Sequence, residues 1–191
     1  DRVVRCFADR PAGLLAMFDA ARARRPRHDA VVCEGRRWSY AETAARGEQI
    51  AAALAASGID AGDRVILFLS NRPEFLFALL AVQRLGAIAV PVGVREQRPG
   101  LAYVANQSGA KAIVFDDTLI DRIPHGDEAP ALQVRLPASG LAAIETNAAA
   151  PAPVATLETD VAVILYTSGT TGHPKGAMLT HLAIAHSALH Y

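Results

Sequence analysis

The sequence is poor in cysteine and has no long apolar run. Cys6 and Cys33 fit no metal or redox motif, and two cysteines in 191 residues are too few for a disulfide framework. We therefore expect free thiols and a cytoplasmic location. No apolar run approaches the roughly 20 residues of a membrane helix, and the charged residues 1–5 precede no signal-peptide core. His186 and His190 are spaced to share a helix face, but without a third ligand we predict no metal site.

An excess of charge of either sign is also absent. Nineteen basic residues balance nineteen acidic ones, which removes any bulk attraction to nucleic acid or to an anionic membrane. We expect no nucleic-acid partner. The single basic cluster falls near the end of a predicted helix, where cations complement the helix dipole. A solvated helix end is favoured there over a phosphate-binding patch, and its members are Arg22, Arg24, Arg25 and Arg27.

Lysine is scarce too, and one of the two lysines lies in the most informative segment of the chain. Residues 166–176 read YTSGTTGHPKG and follow the apolar run 161–165. Glycines allow tight turns and close approach of backbone N–H groups, the hydroxyls add donors, and Lys175 adds positive charge. We predict a strand that delivers this loop to the start of a helix, where the dipole would favour an anion. Polyphosphate is the expected ligand.

The spacing of this loop excludes three better-known motifs. A Walker loop would need glycine where Pro174 stands and a hydroxyl residue where Gly176 stands. The dinucleotide fingerprint fails at Thr171, which occupies the position of its second glycine. A nucleophile elbow around Ser168 would need glycines at positions 166 and 170. We therefore assign no catalytic nucleophile.

Helical and strand-like segments alternate from residue 11 onward. This pattern predicts an α/β fold of parallel-sheet βαβ units with helices on both faces. Ser39 and Glu42 have capping-box spacing before a helix that ends at Gly58, and Asn71 with Glu74 are predicted to cap the next. Strands are predicted at residues 63–69, 87–90, 111–115 and 161–165, and helices at about 12–25, 40–57, 71–85, 99–108 and from 180.

Residues 117–160 are predicted to be an irregular connection between the regular units. It includes a possible strand at 131–136, a short helix near 140–147 and an Ala/Pro spacer. The strand at 161–165 then re-enters the core. Since ligands of such sheets bind beyond the carboxyl ends of the strands, the predicted phosphate-binding loop, 166–176, lies in the expected place.

Over all eleven residues, this loop resembles the phosphate loop of the adenylate-forming superfamily of AMP-dependent synthetases and ligases. That superfamily includes acyl-CoA synthetases, peptide-synthetase adenylation domains and luciferases. Further segments resemble its N-terminal landmarks in the family's order: RWSYAE at 37–42, GIDAGDRV at 58–65, NRPEF at 71–75, LGAIAVPV at 85–92 and SGAKAIV at 108–114. The resemblance implies that residues 1–191 are an incomplete AMP-binding domain, the N-terminal subdomain of the adenylate-forming large domain.

The resemblance implies a reaction as well. The parent enzyme would use ATP and Mg²⁺ to activate a small-molecule carboxylic acid as an acyl-adenylate, and would pass the acyl group to the thiol of CoA. The residues implied to bind the β- and γ-phosphates are the donors Thr167, Ser168, Thr170 and Thr171, the cation Lys175, and the backbone at Gly169, Gly172 and Gly176.

Two hypotheses of function remain open from the sequence. Residues 91–109 look more like acyl-CoA synthetases than peptide-synthetase domains, which favours an acid–CoA ligase of which this chain is the N-terminal fragment. The fragment alone is expected to be inactive, because the family's motifs for adenine, ribose, magnesium and the carboxylate lie beyond residue 191. The alternative is a standalone phosphate-binding module without chemistry. The coding sequence after residue 191 would distinguish the two.

Overall fold

A computed structural model of the chain describes residues 7, 9–142, 144, 150–167 and 174–190. The helices are α1 Leu14–Arg24, α2 Tyr40–Ala56, α3 Pro73–Arg84, α4 Arg98–Ser108, α5 Ala138–Ala142 and α6 His181–Ala188, with a 3-10 helix at Asp117–Arg122. The strands are β1 Asp29–Cys33, β2 Arg36–Ser39, β3 Arg64–Phe68, β4 Ile88–Pro91, β5 Ala112–Phe115, β6 Val134–Pro137, β7 Val161–Thr167 and β8 Lys175–Thr180.

Six of these strands form one sheet in the order β6-β5-β3-β4-β7-β8. The first five run parallel, and β8 is antiparallel to β7. The other two strands, β1 and β2, form an antiparallel hairpin. The predicted α/β class is therefore confirmed, and the connection 117–160 proves to contain a sheet strand, β6, and a short helix, α5.

Helices cover both faces of the sheet, as the alternation predicted. Val65 and Leu67 of β3 belong to a buried cluster that includes side chains of α2 and α3. Ile66 and Phe68 point the other way, into a cluster that includes side chains of α4. Each such buried side chain contributes about 1.5–3 kcal/mol relative to its exposed state. The core is thus two apolar layers with the sheet between them.

The helix starts follow the sequence signals in one case and depart from them in another. Ser39 Oγ accepts from Glu42 N at 3.2 Å, and Ser39 N donates to the Glu42 carboxylate at 2.7 Å, so the capping box of α2 is confirmed. The predicted capping of α3 by Asn71 and Glu74 is wrong. Its N-cap is Arg72, which makes no side-chain cap, and Glu74 pairs with Arg72 at 2.8 Å instead.

The largest departure from prediction comes after the phosphate loop. The chain does not enter a helix there but returns as β8, which pairs with β7 from Thr167↔Lys175 to Val161↔Thr180. Helix α6 begins at His181, in agreement with the helix predicted from residue 180, and Thr180 Oγ1 accepts from Ala183 N at 3.2 Å. Because the two strands are antiparallel, this helix start lies at the opposite end of the hairpin. The dipole of α6 therefore cannot serve an anion at the loop.

Candidate phosphate-binding site at the carboxyl edge of the sheet

The β7–β8 hairpin brings together three of the residues predicted to bind phosphate. Thr167 is the last residue of β7, and it pairs with Lys175, the first residue of β8; Gly176 comes next and pairs with Tyr166. The other five predicted residues lie outside the described part of the chain, namely Ser168, Gly169, Thr170, Thr171 and Gly172. The two limbs of the hairpin therefore define the base of the candidate site.

Lys175 presents an available cation at this base. Its side chain is exposed, and its ammonium makes no ion pair or hydrogen bond with any residue that the structure describes. Thr167 Oγ1 lies 3.5 Å from the Lys175 carbonyl oxygen, which is long for a hydrogen bond. Both side chains can therefore turn to an incoming anion without breaking a strong internal contact.

Gly176 is required for a reason that the sequence did not indicate. It lies in β8 with extended backbone, so no left-handed conformation demands a glycine. A Cβ atom at this position would stand 2.8 Å from Ile164 Cγ2 and 3.2 Å from Tyr166 Cζ. The glycine makes room for the Tyr166 ring, which crosses it from the paired strand. Its predicted contact with phosphate stays a prediction.

A groove opens beside the hairpin base. It has a volume of about 530 Å³ and is lined by Pro91, Val92, Gly93, Arg95, Glu96, Val104, Tyr166, Thr167 and Pro174. The lining comes from the loop after β4, from α4 and from the end of β7. Because β4 and β7 are parallel neighbours, their carboxyl ends meet there, as expected for a ligand crevice in an α/β sheet. Arg95 is exposed and adds a second cation. It lies in the loop between β4 and α4, and no motif in the sequence indicated it.

Helix α4 holds both limbs of the hairpin through side chains one turn apart. Tyr103 Oη donates to the carbonyl oxygen of Pro174 at 3.2 Å. Tyr166 Oη donates to Oε1 of Gln107. Burial raises the pKa of Tyr166, with a smaller contribution from Tyr103, so the Tyr166 phenol keeps its proton. The sequence pattern does not indicate these contacts, because nothing in it links residues 59 and 71 positions apart.

The second lysine lies far from the groove. Lys111 precedes β5 and pairs with the Asp63 carboxylate at 2.9 Å, at the amino edge of the sheet. Burial raises the pKa of Asp63, but hydrogen bonds from Asp60 N and Lys111 outweigh it, so the net pKa lies below its ordinary value. Lys111 thus has a structural partner, and the sheet separates it from the phosphate loop.

The described residues add two findings on metals and membranes. Among them, no group of three or more His, Cys, Asp or Glu side chains is arranged to hold a metal ion. The rings of His186 and His190 stack edge to face, 4.7 Å between centroids, and both lie 5.3 Å from the Phe7 ring. No helix within the described ranges is long and apolar enough to cross a membrane.

Comparison with known proteins identifies the family. The model of the AMP-binding enzyme family matches residues 18–191, so the chain belongs to that family. It is 36% identical over 157 residues to the long-chain-fatty-acid–CoA ligase FadD13 of Mycobacterium tuberculosis, a match that covers 80% of this chain and 31% of that protein. It is 32% identical over 169 residues to tyrocidine synthase 2 of Brevibacillus parabrevis, covering 88% of this chain and 4% of that protein.

A solved structure supports the same assignment at the level of the fold. The inhibitor-bound N-terminal domain of FACL13 from Mycobacterium tuberculosis matches with a TM-score of 0.79 and 34% sequence identity. The match covers 88% of this chain and 44% of that one. The fold is therefore that of the N-terminal subdomain of adenylate-forming enzymes, and the chain spans less than a third of the length of FadD13.

Proposed function

We propose that this chain is the N-terminal part of an ATP-dependent acid–CoA ligase, in which residues 166–176 form the phosphate-binding loop. One observation carries the proposal: Thr167 and Lys175 face each other at the carboxyl end of β7, beside an open groove, with the Lys175 ammonium unengaged by the described residues. A lysine and a hydroxyl so placed suit a polyphosphate. Membership of the AMP-binding enzyme family favours ATP as that polyphosphate.

The reaction proposed is the activation of a small-molecule carboxylic acid. Its carboxylate oxygen attacks the α-phosphorus of ATP, a P–O bond to the α-phosphorus forms as the bond to the β-phosphate bridge breaks, and pyrophosphate leaves. Attack on a polyanion requires that its charge be neutralised and its phosphates held in line. Lys175 would balance the charge of the β- and γ-phosphates, and the Thr167 hydroxyl would donate to them.

The other predicted loop residues complete this site in the proposal. Hydroxyl donors would come from Ser168, Thr170 and Thr171, and close backbone approach from Gly169 and Gly172. The thiol sulfur of CoA, the acceptor named in the relative FadD13, then gives up its proton and bonds to the acyl carbon as the bond to the AMP oxygen breaks and AMP leaves. Mg²⁺ would neutralise phosphate charge, but no metal-binding group lies among the described residues, so we assign it no ligand in this part of the chain.

The test is made on the full-length protein. We expect acid-dependent exchange of labelled pyrophosphate into ATP, followed by thioester formation when CoA is supplied. If pyrophosphate exchange occurred but no CoA thioester formed, the proposed adenylation step would stand and CoA would be wrong as the acceptor. No exchange with any acid from a panel of aliphatic and aromatic acids, together with no binding of ATP, would overturn the proposal. Residues 1–191 alone should give no exchange.

A further inference from the structure

Helix α4 contacts the candidate site without contributing a predicted phosphate ligand. Its inner face is buried against the sheet: Leu101, Val104 and Ala105 are at most 2% exposed. Tyr103 and Gln107 stand four residues apart and therefore on one face of the helix. Both reach the β7–β8 hairpin, Tyr103 on the limb that leaves the loop and Gln107 on the limb that enters it.

Each of these two contacts holds the residue immediately before a proposed phosphate ligand. Gln107 accepts from Tyr166, which precedes Thr167, and Tyr103 donates to the carbonyl of Pro174, which precedes Lys175. A hairpin at a sheet edge has no neighbour on its outer side. Among the described residues β8 is the last strand of the sheet, and α4, which packs on one face of that sheet, fastens both limbs of the hairpin from that face.

The rings of the two tyrosines are held by apolar packing on the α4 side of the sheet. Tyr103 and Tyr166 both pack against the buried cluster between α4 and the sheet. Gly176 leaves the space that the Tyr166 ring fills. Packing of the half-buried rings therefore limits where the two tyrosine hydroxyls can lie. The position of α4 therefore determines where the two limbs of the hairpin lie.

We propose that Tyr103, Gln107 and Tyr166 are positioning residues for ATP, and that through them α4 sets the places of Thr167 and Lys175. The proposal rests on the function proposed above. It predicts a selective effect: loss of either hydrogen bond should impair the binding of polyphosphate and leave the binding of the carboxylic acid unchanged. A purely structural role would lower both together.

The experiment uses Tyr103→Phe and Tyr166→Phe in the full-length protein. Each should raise KM for ATP about three- to tenfold, the range for one net hydrogen bond, with KM for the acid unchanged. Tyr40→Phe is the matched control, since its ring packs against Phe18 at 5.4 Å and its hydroxyl bonds to none of the residues described. That variant should match the wild type in KM for ATP and for acid.

A double-mutant cycle isolates the shared bond. Tyr166→Phe and Gln107→Leu remove the same hydrogen bond, so the double variant should be no worse than either single one. Tyr103→Phe acts on the other limb, and it should worsen the effect of Tyr166→Phe. Binding of inorganic pyrophosphate, measured by calorimetry on the same proteins, should follow the same order.

Three results would overturn the proposal. The first is a KM for ATP in the Tyr103→Phe/Tyr166→Phe protein equal to that of Tyr40→Phe. The second is an equal rise of KM for acid and for ATP with a lower Tm, and the third is full additivity of Tyr166→Phe and Gln107→Leu. These results differ from a failure of the proposed function. In that case the wild type itself would show no ATP-dependent turnover and no binding of pyrophosphate, and the positioning role would fall with it.

Discussion

Arg72 donates to the carboxylate of Asp116 at 2.8 Å, across the carboxyl ends of β3 and β5. Asp116 is buried and also accepts from Ser70 N at 2.8 Å. Arg72 pairs with Glu74 as well, at 2.8 Å. Two loops that leave adjacent strands are therefore fastened by one carboxylate, beside the crevice in which ligands of α/β sheets bind.

Replacing that carboxylate should cost stability. Asp116→Ala leaves the Ser70 N–H without its acceptor and Arg72 without its buried partner. We expect the free energy of unfolding to fall by about 2 kcal/mol, below the value for a fully buried pair because Arg72 is partly exposed. Asp29→Ala is the control, since its pair with Arg37 is exposed and should be worth less than about 1 kcal/mol. Urea unfolding measures both, and equal losses would contradict the assignment.

The pH dependence of stability should report on His181. Burial lowers the pKa of His181 below its ordinary value, and Asp160 opposes this only in part. The unfolded chain therefore binds a proton at higher pH than the folded one, so stability falls as pH decreases through about 6.5, the ordinary histidine value. His181→Gln should remove this dependence.

The measurement is urea unfolding of wild type and His181→Gln between pH 7.5 and 5.5. The variant should lose less stability over this interval, whatever its stability at pH 7.5. His28→Gln is the matched control, because His28 is exposed. In this variant the free energy of unfolding should change with pH as it does in the wild type. If the free energy of unfolding changed with pH by the same amount in wild type and His181→Gln, the pKa of His181 would be the same in the folded and unfolded chain, contrary to the prediction.

A methyl group at Gly176 should disturb the hairpin. The Cβ of Gly176→Ala would lie 2.8 Å from Ile164 Cγ2, closer than real contacts allow, so either strand must shift. We expect a loss of about 1–3 kcal/mol, the usual cost of overpacking. At Gly126 a Cβ meets nothing within 4 Å, and Gly126→Ala should be near neutral. Thermal unfolding of the two variants checks this, and a neutral Gly176→Ala would refute the steric role.

Removal of the Lys175 cation should weaken the handling of ATP. A charge-assisted hydrogen bond is worth about 1.5–3 kcal/mol, so Lys175→Ala in the full-length protein should lose roughly ten- to a hundredfold in kcat/KM for ATP. Arg25→Ala, which removes an exposed cation at the end of α1, should have no effect. Steady-state kinetics at saturating acid measure both. An unchanged rate for Lys175→Ala would remove this lysine from the mechanism.

Local signals in the sequence gave correct predictions where local chemistry decides the structure. The capping box of Ser39 with Glu42 is an interaction within one turn, and Gly58 adopts the left-handed conformation expected after the helix, with φ of 81°. Within the predicted strand 63–69, residues 65–69 are continuously apolar, as a strand covered on both faces must be. Such features need no knowledge of distant residues.

The prediction failed where two candidate partners competed or where a partner lay far along the chain. Glu74 could cap α3 or pair with Arg72, and the sequence does not rank the two. Residues 177–179 could continue toward a helix or pair with β7, and only the exposed edge of β7 makes pairing the better use of their backbone groups. The same holds for Tyr103 and Gln107, whose roles depend on where α4 lies.

By itself, the sequence determined the α/β class, the family and the segment that is proposed to bind phosphate, because periodicity, turn chemistry and a long motif are written in neighbouring residues. The tertiary structure alone decided that the loop is carried by a hairpin, that Lys111 is engaged at the far edge by Asp63, and that Gly176 serves the Tyr166 ring. These are contacts between residues distant in the chain. Their energies depend on which surfaces folding brings together, and no local pattern encodes that.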